Sequence, residues 1–307
     1  MSMLDAKRLT TTPTAGTAAR PDEHTRGKVP LGDRLVEIGS QAILILWSLI
    51  VLVPLLWMVM TSFKTDKEIF FSPWRLPASP QWENFTRAWQ EARIGDFFLN
   101  SVIVTGGSVT LSLLVGSMLA YALGRYEFPG RRLIQLLFLV GLMFPVFLAL
   151  VPLFFVARDL HLLNTLHGLV IIYSSFALPF TVFFLTGFFR SLPTELGEAA
   201  ILDGASHYRV FFEIMLPLAK PGLAAAGIFI FLSHWNQFIL PFILNSSPDK
   251  YVLAQGLAFL AIQQGYASDW SALFAGLTIS MIPTIVVYAF FQRRIQQGMT
   301  AGALSAR

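Results

Sequence analysis

Cysteine is absent from all 307 residues, and charge is scarce: 22 Lys/Arg and 18 Asp/Glu amount to 13% of the chain, about half the share usual in soluble proteins. Without cysteine there is no disulfide framework, no thiolate metal site and no cysteine nucleophile. So little charge excludes an ordinary cytosolic surface, and 55% hydrophobic residues exclude a disordered chain. Gly-x-Ser-x-Gly, His-Glu-x-x-His and the Walker-type phosphate loop are missing as well, which removes the usual signatures of a hydrolase or an ATPase. A net charge of +4 is the ordinary cytoplasmic-side excess of a membrane protein, so no nucleic-acid partner is expected.

The charge that is present is confined. Six charge-free windows, 38–63, 97–124, 133–157, 160–189, 221–248 and 270–292, hold 160 residues, so all 40 charges fall in the other 147. At about 1.5 Å per residue, roughly 20 helical residues cross an apolar layer of about 30 Å, and each window is longer. Barrel strands would be about ten residues long with alternating polarity. The chain therefore reads as all-α, a polytopic membrane protein with six transmembrane helices. Its expected organisation is a mobile N-terminal tail over 1–36, a six-span domain over 37–292 and a C-terminal tail over 293–307. The first apolar segment begins only near Gln41, too far in for a signal peptide, so it is expected to stay as a helix.

Lysine and arginine near span ends set orientation. With the N-terminus inside, the inner pieces carry 15 of these residues and the outer pieces 7, and Arg125, Arg131, Arg132, Arg293 and Arg294 hug span ends. Both termini are thus expected in the cytoplasm. Two long outer segments, 64–96 and 249–269, carry Phe70, Phe71, Trp74, Trp82, Phe85, Trp89, Tyr251 and Tyr266, with Trp270 just beyond. These fit either an interfacial aromatic belt or a docking surface for an external partner. Pro54, Pro145, Pro152, Pro179, Pro241 and Pro283 lie inside spans, where each removes a backbone donor. Pro145 and Pro152 are placed to bend one helix twice on nearly one face.

The inner loop over 190–222 is longer and more apolar than solubility requires. Pro193 and Glu195 suit a first helical turn, Gly204 suits the left-handed end of that helix, and Ser206 suits the cap of a second one. In this second helix Val210, Phe211, Ile214 and Met215 repeat at helical spacing until Pro217 stops it. Such a surface either lies on the bilayer or docks on a partner. The spacing Glu198-Ala199-Ala200, three residues, Gly204, nine residues, Ile214, one residue, Leu216-Pro217 resembles the EAA loop of permease subunits of binding-protein-dependent ABC importers. Residues 120–131 (Ala-Tyr-Ala-Leu-Gly-Arg-Tyr-Glu-Phe-Pro-Gly-Arg), 235–241 (Trp-Asn-Gln-Phe-Ile-Leu-Pro) and 298–303 (Gly-Met-Thr-Ala-Gly-Ala) are similar to the maltose-type carbohydrate permeases. The resemblance covers roughly residues 36 to 305.

The resemblance implies a type I ABC importer permease fold with a cytoplasmic coupling-helix loop in the inner membrane. It implies a second permease subunit, a dimer of ATP-binding subunits that hold ATP and magnesium, an external solute-binding protein, and no cofactor on this chain. Glu198, Ala199, Ala200, Asp203, Gly204, Ala205, Ile214, Leu216 and Pro217 would meet the ATP-binding subunit, and Gly298, Thr300, Ala301 and Gly302 would reach toward it from the C-terminus. Met299 stands where leucine is more usual.

A sugar needs hydrogen-bonding side chains and flat apolar faces, and intramembrane polar groups point inward by default. Asn100, Tyr173, Trp235, Asn236 and Gln237 are candidates for that path; Gln237 stands where family members often carry an acid. Most intramembrane Ser and Thr are expected to bond back to their own helix or to make a helix–helix contact. No Asp or Glu lies in the spans to complete a proton relay with His167 and His234, which argues against a secondary transporter. Ser233 adjoins His234, but helix neighbours do not face each other, which argues against an intramembrane protease. Within the family a mono- or oligosaccharide is expected, with glycerol phosphate or a diester as the alternative.

Overall fold

The computed structural model describes residues 31–267 and 269–304, with side chains for 36–262 and 269–291. Among these residues there are helices and turns and no strand. Most of the expected N-terminal tail lies outside the described residues, but α1 (Leu31–Thr61) starts within it. The chain divides inside α1, between Val53 and Pro54; in the first unit the side chains from Val36 to Val53 are exposed and apolar apart from Glu37, Gly39, Ser40, Gln41 and Ser48.

Among the described residues four helices are long and apolar enough to cross a membrane: Val36–Thr61 of α1, α4 (Ile94–Arg125), α7 (Leu166–Ser191) and Trp270–Phe291 of α13 (Trp270–Leu304). Pro54, Pro179 and Pro283 sit inside these helices without ending them. The third window is broken instead. Its halves, α5 (Arg131–Met143) and α6 (Val146–Asp159), meet at 105°, because Phe144 is extended (ψ 122°) ahead of Pro145, the backbone that a following proline imposes. Pro152 lies within α6 and does not interrupt it, so one proline and not two makes the bend.

The fifth window is broken as well. Helix α10 (Lys220–Trp235) has 16 residues, about 24 Å of helix and too short to cross alone. It stops at Asn236, and α11 (Ile239–Leu244) resumes after Phe238. Non-helical backbone at this depth is tolerated only against protein or a cavity.

Helices α4 and α7 pack along each other in the second unit. Small residues line their seam: a Cβ on Gly107 would lie 3.1 Å from Val170, and Ser174 Oγ donates to Ser108 O across it at 3.2 Å. Such seams let membrane helices gain dispersion energy by close approach. The expected back-bonds are there in Thr110, Ser174, Ser175 and Thr181, whose hydroxyls donate to the carbonyls four residues earlier.

The segment between α1 and α4 is a folded layer containing α2 (Asp66–Phe71) and α3 (Glu83–Gln90). Lys64 is fully buried there and its Nζ donates to Ser72 O and Pro73 O at 3.0 and 2.8 Å. Burial pushes its pKa down, and Glu68 partly opposes that shift. Asp66 caps the start of α13 through Ser271 N at 2.8 Å. Phe71, Trp74 and Trp82 remain exposed.

Candidate functional site

Two places gather the residues that the sequence singles out. The first is the hairpin between α7 and α10, made of α8 (Glu195–Leu202) and α9 (His207–Leu218). Gly204 has φ +86°, and the turn it makes closes two bonds, Ala205 N to Ala200 O at 2.9 Å and Gly204 N to Ile201 O at 3.0 Å. That pairing satisfies the last carbonyls of α8 as a left-handed glycine allows. Ser206 Oγ then accepts from Arg209 N at 3.3 Å and caps α9. The expectation that Pro217 stops this helix is overturned. Its turns widen over Val210–Met215, just before the proline, the kind of π-type bulge that lets a helix continue. The helix runs on to Leu218 and turns by 73° into α10 at Ala219.

One side of the hairpin is packed by the protein's own spans. Val210, Phe211, Met215 and Ala219 are buried with Ala120, Tyr121, Leu185 and Phe189, and Ala200, Ala205 and Leu216 pack against the same cluster. Gly197 permits this closeness, since a Cβ there would lie 2.9 Å from Met215 Cε. Ile214 is half-buried. The other side is open: Glu198, Ala199, Asp203, Gly204 and Pro217 are exposed. So the nine expected contact residues split, with Ala200, Ala205, Ile214 and Leu216 turned at least partly inward. The most exposed apolar groups, Leu202 at 88% and Tyr208 at 76%, were not among them; they sit beside the turn, where helical spacing gives no signal.

The end of α4 holds the hairpin at two points. Arg125 Nη2 donates to Leu192 O at 2.6 Å and Pro193 O at 3.4 Å, and the Tyr126 hydroxyl lies 3.1 Å from His207 Nδ1. Tyr121 bridges inward, edge-on to Tyr126 and 5.1 Å from the Phe211 ring. Gly298, Thr300, Ala301 and Gly302 continue the backbone of α13, and their side chains lie outside the described residues.

The second place is a cavity of ≈ 310 Å³ between α7 and the break after α10. Of the five path candidates it takes in two, Tyr173 and Gln237. Asn100 instead donates to Asp249 O and Tyr251 O, Trp235 is buried with Nε1 on Ser280 O at 3.0 Å, and Asn236 Nδ2 bonds back to Leu232 O. Gln237 Oε1 accepts from Ile239 N at 3.2 Å, and so closes one of the donors freed by the break. His234 joins the cavity wall with its Nδ1 paired to the Ser108 hydroxyl at 2.8 Å.

Known proteins agree with this architecture. The family model described as "Binding-protein-dependent transport system inner membrane component" matches residues 112–301. The chain is 53% identical over 270 residues to the diacetylchitobiose uptake system permease protein NgcG of Streptomyces coelicolor, covering 88% of this chain and 89% of that one. It is 36% identical over 279 residues to the arabinooligosaccharides transport system permease protein AraQ of Halalkalibacterium halodurans, covering 90% and 97%. A chain from the crystal structure of a bacterial ABC transporter involved in the import of the acidic polysaccharide alginate shares the fold, with TM-score 0.76, 23% identity, and coverage of 87% and 98%. The chain is a multi-pass membrane transport subunit and belongs to the family of binding-protein-dependent transport system inner membrane components.

Proposed function

We propose that this chain is one of two permease subunits of an ATP-driven importer that moves an oligosaccharide handed over by an external binding protein. The observation that carries the reading is the inner hairpin: a stiff, doubly capped element packed on the ends of α4 and α7 with its far side open. An ATP-binding subunit that holds ATP and magnesium would seat on Glu198, Ala199, Asp203 and Gly204, and its closing would push on α7 and α10 through the packed side. Both termini would then lie in the cytoplasm. The relatives named for diacetylchitobiose and arabinooligosaccharides favour a neutral sugar, and no Lys or Arg lines the cavity to meet glycerol phosphate or a diester.

Gly204 offers the test. A side chain here meets no atom within 4 Å but must hold a left-handed φ, about 1–2 kcal/mol for an ordinary residue. In vesicles carrying the full complex, Gly204→Arg removes ATP-driven uptake and its stimulated hydrolysis while the chain still inserts. Gly204→Asn, which tolerates the conformation, keeps most of both. Normal uptake by the arginine variant would contradict the coupling role.

A further inference from the structure

The most open apolar side chains between α1 and α4 are Phe71, Trp74 and Leu76, at 88%, 76% and 81% exposed. Their depth follows from the rings around them. The charge-free window 270–292 makes about 34 Å of helix, little more than an apolar layer of about 30 Å. Phe274 lies about 6 Å along it, inside that layer even if all the spare length falls at this end. The Trp57 ring meets Phe274 edge-on at 5.6 Å and Trp74 at 5.8 Å, and Phe70 meets Trp270 edge-on at 5.8 Å. The stretch after α2 therefore folds back level with the start of α13 and does not stand off it.

Its backbone is provided for as though water were missing. Lys64 Nζ donates to Ser72 O and Pro73 O at 3.0 and 2.8 Å, and Trp57 Nε1 adds a bond to Pro73 O at 2.9 Å. Arg75 N donates to Ser72 O at 3.2 Å and Ala78 N to Glu68 Oε1 at 2.9 Å, while Pro73 and Pro77 have no donor to satisfy. Carbonyls facing water need no such help, and a fully buried lysine is an expensive donor to supply. Irregular backbone at the edge of the apolar layer does need it, because lipid offers no hydrogen bonds. Arg75, exposed between Trp74 and Leu76, has an apolar stem that can lie with these rings and a cation that can reach lipid phosphate. A soluble partner would be met by rings standing beyond the span ends; these are level with them.

We infer that residues 71–76 are a lipid anchor, with Phe71, Trp74 and Leu76 seated in the boundary between headgroups and acyl chains, the depth that interfacial apolar groups take. Asp66 of α2 caps the start of α13 through Ser271 N, so the anchor also holds that helix at its depth. Leu76→Cys and Phe71→Cys each give the chain a single thiol on open surface, so either serves if the other fails to insert. Each is spin-labelled in the full complex, its other subunits free of thiols, in vesicles of phosphatidylcholine and phosphatidylglycerol. The expected result at both sites is stronger relaxation by oxygen, which partitions into lipid, than by a water-soluble nickel chelate, with or without the external binding protein. A label relaxed chiefly by the chelate places the stretch in water and overturns the anchor. A label open to the chelate until the binding protein is added, and immobilised afterwards, makes the stretch a docking surface and overturns it too. So does a label shielded from both agents in every preparation, which would lie against another subunit.

Discussion

The hairpin between α7 and α10 and the break after α10 are both interruptions of helix, yet they are closed in opposite ways. At the hairpin the turn is closed locally and mostly by backbone: a left-handed glycine, two backbone bonds onto α8, and one short side-chain cap, Ser206 on α9. At Asn236–Phe238 the gap is patched by side-chain amides, Asn236 on Leu232 O and Gln237 under Ile239 N. The first arrangement resists deformation because backbone bonds make most of the closure. The second is held in part by Gln237, which also lines the cavity, so a ligand can compete for it. Under the proposed function, the stiff element would receive the push and the adaptable one would lie beside the path it opens.

Four substitutions sharpen that contrast. Gly204→Arg has the largest expected effect, a fall in uptake of at least about thirtyfold, comparable to losing about 2 kcal/mol at an interface hot spot. Gln237→Leu, at the adaptable joint, is expected to weaken sugar contact about fivefold. Arg125→Ala removes the guanidinium from Leu192 O and Pro193 O. That pair is only part-buried, so the sugar moved per ATP hydrolysed should fall about two- to threefold; an unchanged ratio would show that α4 does not steady the hairpin. The Glu68 carboxylate bonds at Thr65 and Ala78, within the segment between α1 and α4, and Glu68→Gln should leave uptake alone at neutral pH. Thr65 N and Ala78 N donate to the Glu68 carboxylate at 2.9 Å each and hold its pKa below the ordinary value. A lowered carboxylate pKa stabilises the fold above the unfolded value and loses that contribution as pH falls through the folded one. Thermal melting of the wild type should thus decline in acid more steeply than that of the glutamine variant, and parallel curves would remove Glu68 from the account.

Much of this was legible from composition alone, for a physical reason. Apolar length reports what a segment must hide, so the windows at 38–63, 97–124, 160–189 and 270–292 correspond to helices long enough to span. It does not report how the backbone is satisfied, and the windows at 133–157 and 221–248 hid their breaks. Pro145 was visible as a bend but not as a 105° elbow; Asn236 and Gln237 were visible as polar side chains but not as repairs to an interrupted helix. The hairpin turned out as its cap residues suggest at Gly204 and Ser206. It departed at Pro217, where the widened turn over Val210–Met215 depends on packing against Tyr121 and Phe189, which no local pattern contains. Leu202 and Tyr208 carry no motif at all; only the open face of the folded hairpin singles them out.

The absence of cysteine makes the central claim directly measurable, because Leu202→Cys would place the sole thiol of the chain at the tip of the hairpin. A spin label on that thiol, in vesicles with and without the ATP-binding subunits, reports whether the tip is seated. The account predicts a label immobilised and shielded from a water-soluble relaxation agent only when those subunits are present. A label equally mobile in both preparations, or buried in lipid in both, would contradict it.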